Sequence, residues 1–533
     1  MPAQKKKKIW KWLIICIAVI ALIVIIGNVV IKGVIKNKFD NAINQLQPYA
    51  DAKYKDIHIN LLTGSFAVDS LTVQYHPSAK QPQNQHSIYL PSVSLNGLNY
   101  FKIAGGKTFT TSALNIDHST IILNTALLEE KDTTLKKLIA KLNIPFQHIE
   151  LNKLALSNIT VKKTSGEKYL SFFDGDIIVK DINADRADSA FSKDSIQFSS
   201  LECTLNNITY PLHGYHSVRI NKLILNSSDS LLKIDSLKII PQRDKYELGR
   251  KLGHQADHVN AVVPTITLTG LHVKDLLKKK LIADEFTIDN SIVYVFRDRR
   301  LPRLMKEQPT PLEYLKQIPF DVFIKQFKLN DATITSEEFP KEGNKSGYIK
   351  ITGINIGMHP FFNNAYKGHT TLTASVKGNI MSAGLIHANI DLSLLTGIQN
   401  IKGAIEELHL TAMNPSSENL GKFHIESGIL DQLNFSFSAG SKKASGEIIG
   451  VYHDLVVERL KVKDGELKKA AVPTLALKAI IIPKNKPASM SVKRRTGKID
   501  FDRDPTRLIT FFYLKALLDG IRNSFSLGFL LPQ

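Results

Sequence analysis

The sequence predicts a mainly β protein: an N-terminal transmembrane helix, then an elongated, twisted antiparallel β-sheet or groove with a few short helices, internally duplicated. Three observations predict it. Residues 12–31 form a nearly unbroken apolar run behind Lys5, Lys6, Lys7, Lys8 and Lys11. From Ile57 onward apolar residues recur at every second position, as in Leu71, Val73 and Tyr75 or Leu201, Cys203 and Leu205, the spacing of strands that bury one face. Finally, the stretch 90–98 (LPSVSLNGL) returns at 263–271 (VPTITLTGL) with its Pro and Gly in place. The register continues: Leu114, Ile116, Asp117 and Ser119 are echoed by Phe286, Ile288, Asp289 and Ser291, and Ile144, Pro145 and Phe146 by Ile318, Pro319 and Phe320. Three segments whose spacings agree within a residue point to a repeated structural unit rather than chance.

Taken in order, residues 1–11 read as a basic cytoplasmic tail and residues 12–31 as the anchor, a helix of roughly 30 Å. Trp12, Leu13, Ile14, Ile15 and Ile17 fill its first half, and Ile20, Leu22, Ile23, Ile25 and Ile26 its second. The core runs on through Val29 and Val30 with no small-x-small cleavage site, so the anchor is expected to stay uncleaved. The lysines before it keep the N-terminus in the cytoplasm and put the body on the far side of the membrane, a single-pass arrangement. Trp10 and Trp12, the only tryptophans, fall at the membrane interface. Residues 32–56 read as a juxtamembrane helix and linker, because Val34, Ile35, Phe39, Ala42, Ile43 and Leu46 follow a helical period that Pro48 ends. Lys32, Lys36 and Lys38 are candidate contacts to anionic lipid headgroups, at about 1 kcal/mol each near a charged surface.

The body divides into a first β-groove segment, 57–260, a second, 261–430, and a C-terminal β segment, 431–503. Helical stretches are expected at 126–142 and 302–317, at matching places in the two copies, and at 244–260 between them. Longer strands are expected at 371–379 and 384–392. Residues 504–533 read as an amphipathic helix and tail: Asp504 and Pro505 open it, and Leu508, Phe511, Phe512, Leu514, Leu517, Leu518 and Ile521 form a broad apolar face. The inward positions of the alternating strands are the candidate lipid-groove residues. In the first copy these are Val93, Leu95, Ile116, Leu154 and Leu156; in the second they are Ile266, Leu268, Ile288, Phe327 and Leu329.

The formal net charge is +20, but the lysines are scattered through strands and turns, and an exported chain meets no chromosome, so no nucleic-acid partner is expected. A denser basic cluster lies at Lys484, Lys486, Lys493, Arg494, Arg495 and Lys498. Cys203 is the one exported cysteine, which excludes an internal disulfide there; Cys16 reads as an ordinary cysteine of the anchor. There is no G-x-S-x-G elbow, no Walker-type loop and no G-x-G-x-x-G turn. His254 and His258 stand four apart, but the Glu of an H-E-x-x-H zinc site is missing. Asp181, Asn183, Asp185 and Asp188 resemble the start of a calcium loop, yet Arg186 holds its glycine position, so a polar turn is expected. No catalytic residue, metal or cofactor is assigned, and the chain is expected not to be an enzyme.

Several segments together resemble the AsmA-like family of bacterial envelope proteins. After the basic-flanked anchor, residues 59–65 (INLLTGS) lead into the strand from Leu71 to Tyr75, as at the opening of such proteins. Met413, Asn414 and Pro415, then residues 425–430 (IESGIL), 444–447 (ASGE) and 452–455 (YHDL), look like their C-terminal part. The resemblance implies a membrane-anchored periplasmic protein whose sheet curls into a groove, associated with phospholipid transfer and outer-membrane integrity, with no catalytic residues to carry over. The function expected is non-enzymatic binding or conveying of lipids between envelope membranes. The alternative is a scaffold or assembly factor that contacts outer-membrane or secretion components without carrying lipid.

Overall fold

The computed structural model describes residues 36, 37, 39–41, 43, 44, 50–60, 63–75, 86–99, 102, 107–124, 146–165, 168–187, 190–212, 215–366, 368–463, 465–470 and 495–525. The expected anchor, 12–31, the 126–142 helix, and Lys32 and Lys38 lie outside these residues, as does the basic cluster apart from Arg495 and Lys498. Among the described residues no helix is long and apolar enough to cross a membrane. The protein is mainly β and falls into two compact units: residues 1–211 with 218–232, and residues 212–217 with 233–533.

In the first unit the strands are β1 (Ala50–Lys53), β2 (Asp56–Asn60), β3 (Ser65–Tyr75), β4 (His86–Asn96), β5 (Thr108–Asp117), β6 (Thr120–Asn124), β7 (His148–Ser165), β8 (Lys168–Ala187) and β9 (Ala190–Gln197). Strands β10 (Ser200–Leu212), β11 (His216–Asn226) and β12 (Leu231–Pro241) run through the division. The second unit continues with β13 (His258–Thr269), β14 (Lys280–Asp289), β15 (Ile292–Asp298), β16 (Asp321–Phe339), β17 (Gly347–Met358) and β18 (Phe361–Phe362). It ends with β19 (Thr371–Ile380), β20 (Gly384–Ser393), β21 (Gln399–His409), β22 (Phe423–Ala439), β23 (Lys443–Lys463), β24 (Glu466–Lys469) and β25 (Arg495–Asp502). The strands read from sequence at 371–379 and 384–392 correspond to β19 and β20.

The duplication is visible in the pairing. Strand β4 pairs antiparallel with β5 through residues 92–96 and with β6 through 87–89; β13 pairs likewise with β14 through 265–269 and β15 through 258–262. Pro91 and Pro264 stand where the partner changes, a position with no ladder bond for an N–H to make. Both broken partners then lie along one long strand: β5 and β6 along β7, and β14 and β15 along β16. The break is left-handed backbone in each copy, at His118 (φ 54°) and Asn290 (φ 53°). Its hydrogen bonds also repeat: His118 N donates to Ser157 O at 3.0 Å and Asn290 N to Asn330 O at 2.9 Å, while Thr160 N donates to Ser119 O at 2.8 Å and Thr333 N to Ser291 O at 2.7 Å.

These long pairings are parallel, which corrects the expected all-antiparallel sheet: the sheet is mixed. Parallel neighbours need a connection of a dozen or more residues to bring the chain back, and residues 125–147 and 299–320 supply it. The second crossover is less helical than expected, with a helix only at Pro311–Lys316 rather than 302–317. Pro302 and Pro309 disfavour helix around them, and Thr310 starts it late through a capping box with Glu313. The stretch expected to be helical over 244–260 is helical only over Lys245–Leu252, capped by Asp244 and stopped by Gly253 at φ 73°; its end belongs to β13. Asp181, Asn183 and Asp185 lie within β8, not in a turn, because β8 pairs with β7 on one side and with β9 and β10 on the other. The C-terminal helix spans Ile509–Phe525 rather than starting at Asp504, whose carboxylate instead accepts from Thr506 N at 2.9 Å.

Each unit has its own core. In the first, the helical residues Phe39 and Ile43 pack with Phe66, Val68, Val93, Leu95, Phe109 and Phe146. In the second, the C-terminal helix lays Phe512 and Ala516 on Phe437, Ile448 and Ile499. Gly497 makes that approach possible, since a Cβ there would stand 2.0 Å from Gly520 O.

Candidate functional site

Alternation puts residues i and i+2 on one sheet face, and residues opposite each other in register share a face. In the first unit this places Phe66, Leu95, Leu114, Leu154, Val179 and Leu201 in one row across β3, β4, β5, β7, β8 and β10. Val68, Val93, Ile116, Leu156, Ile177 and Cys203 form the next row. The second unit repeats the arrangement over more strands. Leu268, Phe286, Phe327, Met358, Ala374, Ile390, Ile401 and Phe437 follow one another from β13 to β22, beside Ile266, Ile288, Leu329, Ile356, Val376 and Ala388. The reverse face of that sheet is polar over the same span: Thr267, Thr287, Lys328, Ser375, Asn389, Lys402, Ser436, Glu447 and Lys498 face the other way.

The apolar face is covered at one end of each row and partly open along the rest. In the first unit Val93, Leu95, Leu114 and Ile116 are at most 4% exposed, whereas Leu154, Leu156, Ile177, Val179, Leu201 and Cys203 are only half-buried. In the second, Phe435, Phe437, Ile448 and Ile499 are buried by the C-terminal helix. From β13 to β20 most positions, including Ile266, Phe286, Ile288, Phe327, Leu329, Ile356, Met358, Val376 and Ile390, are half-buried. The rings of Phe286 and Phe327 meet edge to face at 5.4 Å and Phe361 follows at 5.8 Å, giving this stretch a firm floor.

Electrostatics leave the floor neutral. Burial, and then the nearby Asp176 carboxylate, push the Cys203 thiol up to about 11, so it stays protonated within its row. The other face carries charged pairs, among them Lys180 with Glu202 at 3.0 Å and Lys328 with Glu285 at 2.8 Å.

The structure places all ten candidate groove residues on these faces, five in each unit. Val93, Leu95, Ile116 and Leu268 are enclosed, while Leu154, Leu156, Ile266, Ile288, Phe327 and Leu329 are partly open. Sequence reasoning missed Ile177 and Val179, because the consecutive Ile177, Ile178 and Val179 beside Asp174 and Asp176 blur the period of two; the neighbouring Leu201 and Cys203 were visible as alternation but had no assigned partner strand. Lys36 is exposed on the helical residues that precede β1. His254 and His258 are engaged by the backbone, His258 Nε2 lying 3.0 Å from Arg243 O, and no cluster among the described residues could hold a metal. Comparison with protein-family models and with curated proteins found no match to this chain.

Proposed function

We propose that the protein binds the acyl chains of membrane lipids along the apolar face of its sheets, as a non-enzymatic, membrane-anchored component of the bacterial envelope. The observation that carries the reading is the run of apolar rows, half-buried over many successive strands and backed by a polar reverse face. A soluble sheet normally covers such a face with helices or a second sheet. Among the described residues helices cover only parts of these faces: residues that precede β1 in the first unit, and in the second the C-terminal helix together with Leu312 and Leu315, which pack against Leu372 and Leu392. Roughly 15 methylenes, at about 0.8 kcal/mol each, oppose removal of one acyl chain from a membrane by some 12 kcal/mol. An open apolar floor offsets that barrier. The predicted anchor at 12–31 and the resemblance to AsmA-like proteins support the same direction, with phospholipid as the ligand class.

The test is photo-crosslinking in the full-length chain. Benzoylphenylalanine at Leu156, Ile288 or Leu329 is expected to capture phospholipid, identified by mass spectrometry. The same probe at Lys180 or Lys402 on the reverse face is expected to capture none. Equal capture on both faces, or none at any position, would overturn the proposal.

A further inference from the structure

A second feature of the second unit is chemically unlike the sheet face. Gln255, Arg299, Arg300, Leu301, Pro302, Arg303, Lys341 and Arg507 line a cleft of about 620 Å³. Five of these eight residues are cationic and none is acidic. Carboxylates stand behind the wall and hold three guanidiniums in place: Asp298 grips Arg300 through two bonds of 2.9 and 2.7 Å, Glu338 takes Arg299 at 3.3 Å and Asp504 takes Arg303 at 2.8 Å.

The remaining two cations are held more loosely. Among the described residues Lys341 has no ion pair, and the Arg507 side chain makes no hydrogen bond; its Nε is 3.9 Å from Asp504 and its guanidinium lies over the Phe511 ring at 4.8 Å. Arg507 is only 20% exposed. Burial first, and then the like charges of Arg303, Arg299 and Arg297, disfavour its charged form. The charged form of Lys515, on the helix that follows Arg507, is disfavoured by burial and then by Arg299 and Arg507. A protein that gathers mutually repelling, desolvated cations around a cleft stabilises the arrangement when an anion enters it.

We infer that this cleft binds a phosphate group, held by the guanidiniums of Arg299 and Arg507, by the edge of Arg300 that Asp298 leaves free, and by Lys341. Guanidiniums fixed from behind are pre-organised to give bidentate bonds to phosphate oxygens, and a doubly charged anion matches the cationic surplus better than a lone carboxylate. The phosphate could belong to a lipid headgroup or to a soluble phosphate. The inference does not depend on acyl chains occupying the sheet face.

The test uses the full-length chain in mild detergent, with inorganic phosphate and pyrophosphate as soluble probes and phosphatidylcholine nanodiscs with or without phosphatidic acid as lipid probes. The variant is Lys341→Gln with Arg507→Gln. The control is Lys377→Gln with Lys402→Gln, which removes the same charge from exposed strand positions; circular dichroism checks the fold of both. The cleft variant is expected to weaken phosphate binding by about tenfold or more, and the control to leave it unchanged. Binding of the soluble probes identifies a free phosphate, and binding confined to phosphatidic acid discs identifies a headgroup; either supports the site if the cleft variant loses it. Equal losses in variant and control, or no binding of any probe, would overturn it.

Discussion

The two copies of the duplicated module have the same strand pairings, the same prolines at the change of partner and the same left-handed break, yet they differ in what lies on their apolar face. In the first copy Val93, Leu95, Leu114 and Ile116 are enclosed in a core that includes Phe39, Ile43 and Phe146. In the second, Leu268 is enclosed like its counterpart Leu95, but Ile266, Phe286 and Ile288 at the other three equivalent positions remain half-buried. The same alternation therefore makes a core in one place and an accessible floor in the other. The difference lies in the covering segments and not in the strands.

Charge placed in each floor gives the largest contrast. Val93→Asp buries a carboxylate without a partner and is expected to cost on the order of 4–5 kcal/mol, whereas Ile288→Asp, able to reach water, is expected to cost about 1–2 kcal/mol. Urea denaturation followed by circular dichroism reads the difference; equal losses would mean that the second floor is as enclosed as the first.

The breaks themselves give a smaller and more local contrast. Facing the first break, strand β7 has a left-handed residue of its own, Asn158 at φ 52°, whose side-chain amide donates to Asp117 Oδ1 at 3.0 Å. In the second copy the two roles are separated: Asp331 is left-handed at φ 50°, while the preceding Asn330 donates to Asp289 Oδ1 at 2.8 Å. Asn158→Ala should thus lose both a hydrogen bond and a residue suited to that backbone, at about 2 kcal/mol, and Asn330→Ala only the bond, at about 1 kcal/mol. Matching losses would show that the separation has no energetic consequence.

The smallest effect is one in which the copies should agree. Hydrogen bonds from Lys102 and Thr110 lower the pKa of Glu150, and those from Lys328 and Thr287 lower that of Glu285, each from 4.5. A carboxylate whose folded value lies below its unfolded one contributes stability above about pH 4.5 and loses it as the pH falls through the folded value. Lys102→Met and Lys328→Met should each remove less than about 1 kcal/mol at neutral pH, since both pairs are exposed, and should flatten the acid limb of the stability curve to a similar degree. A marked change in only one copy would separate them electrostatically.

Much of this architecture was legible in the residues. The repeated Pro and Gly, the alternation of β19 and β20 and the paired breaks at 117–119 and 289–291 are local features, and local steric rules translate them directly. The parallel pairings were not legible, because a period of two looks the same whether the neighbour runs with or against the strand. Helix ends moved wherever a cap competed, as at Thr310 and Gly253. Ile177 and Val179 were hidden by their apolar neighbour Ile178, and the cationic cleft could not be seen at all, since Lys341 and Arg507 are far apart in the chain.

By itself, the sequence determined the β character, the repeat and which side chains share a face, because these follow from backbone geometry over a few residues. Only the tertiary structure decided which strands became neighbours, which stretch of apolar face was covered and which cations met. Those outcomes depend on where distant segments come to rest, and no short-range pattern encodes that.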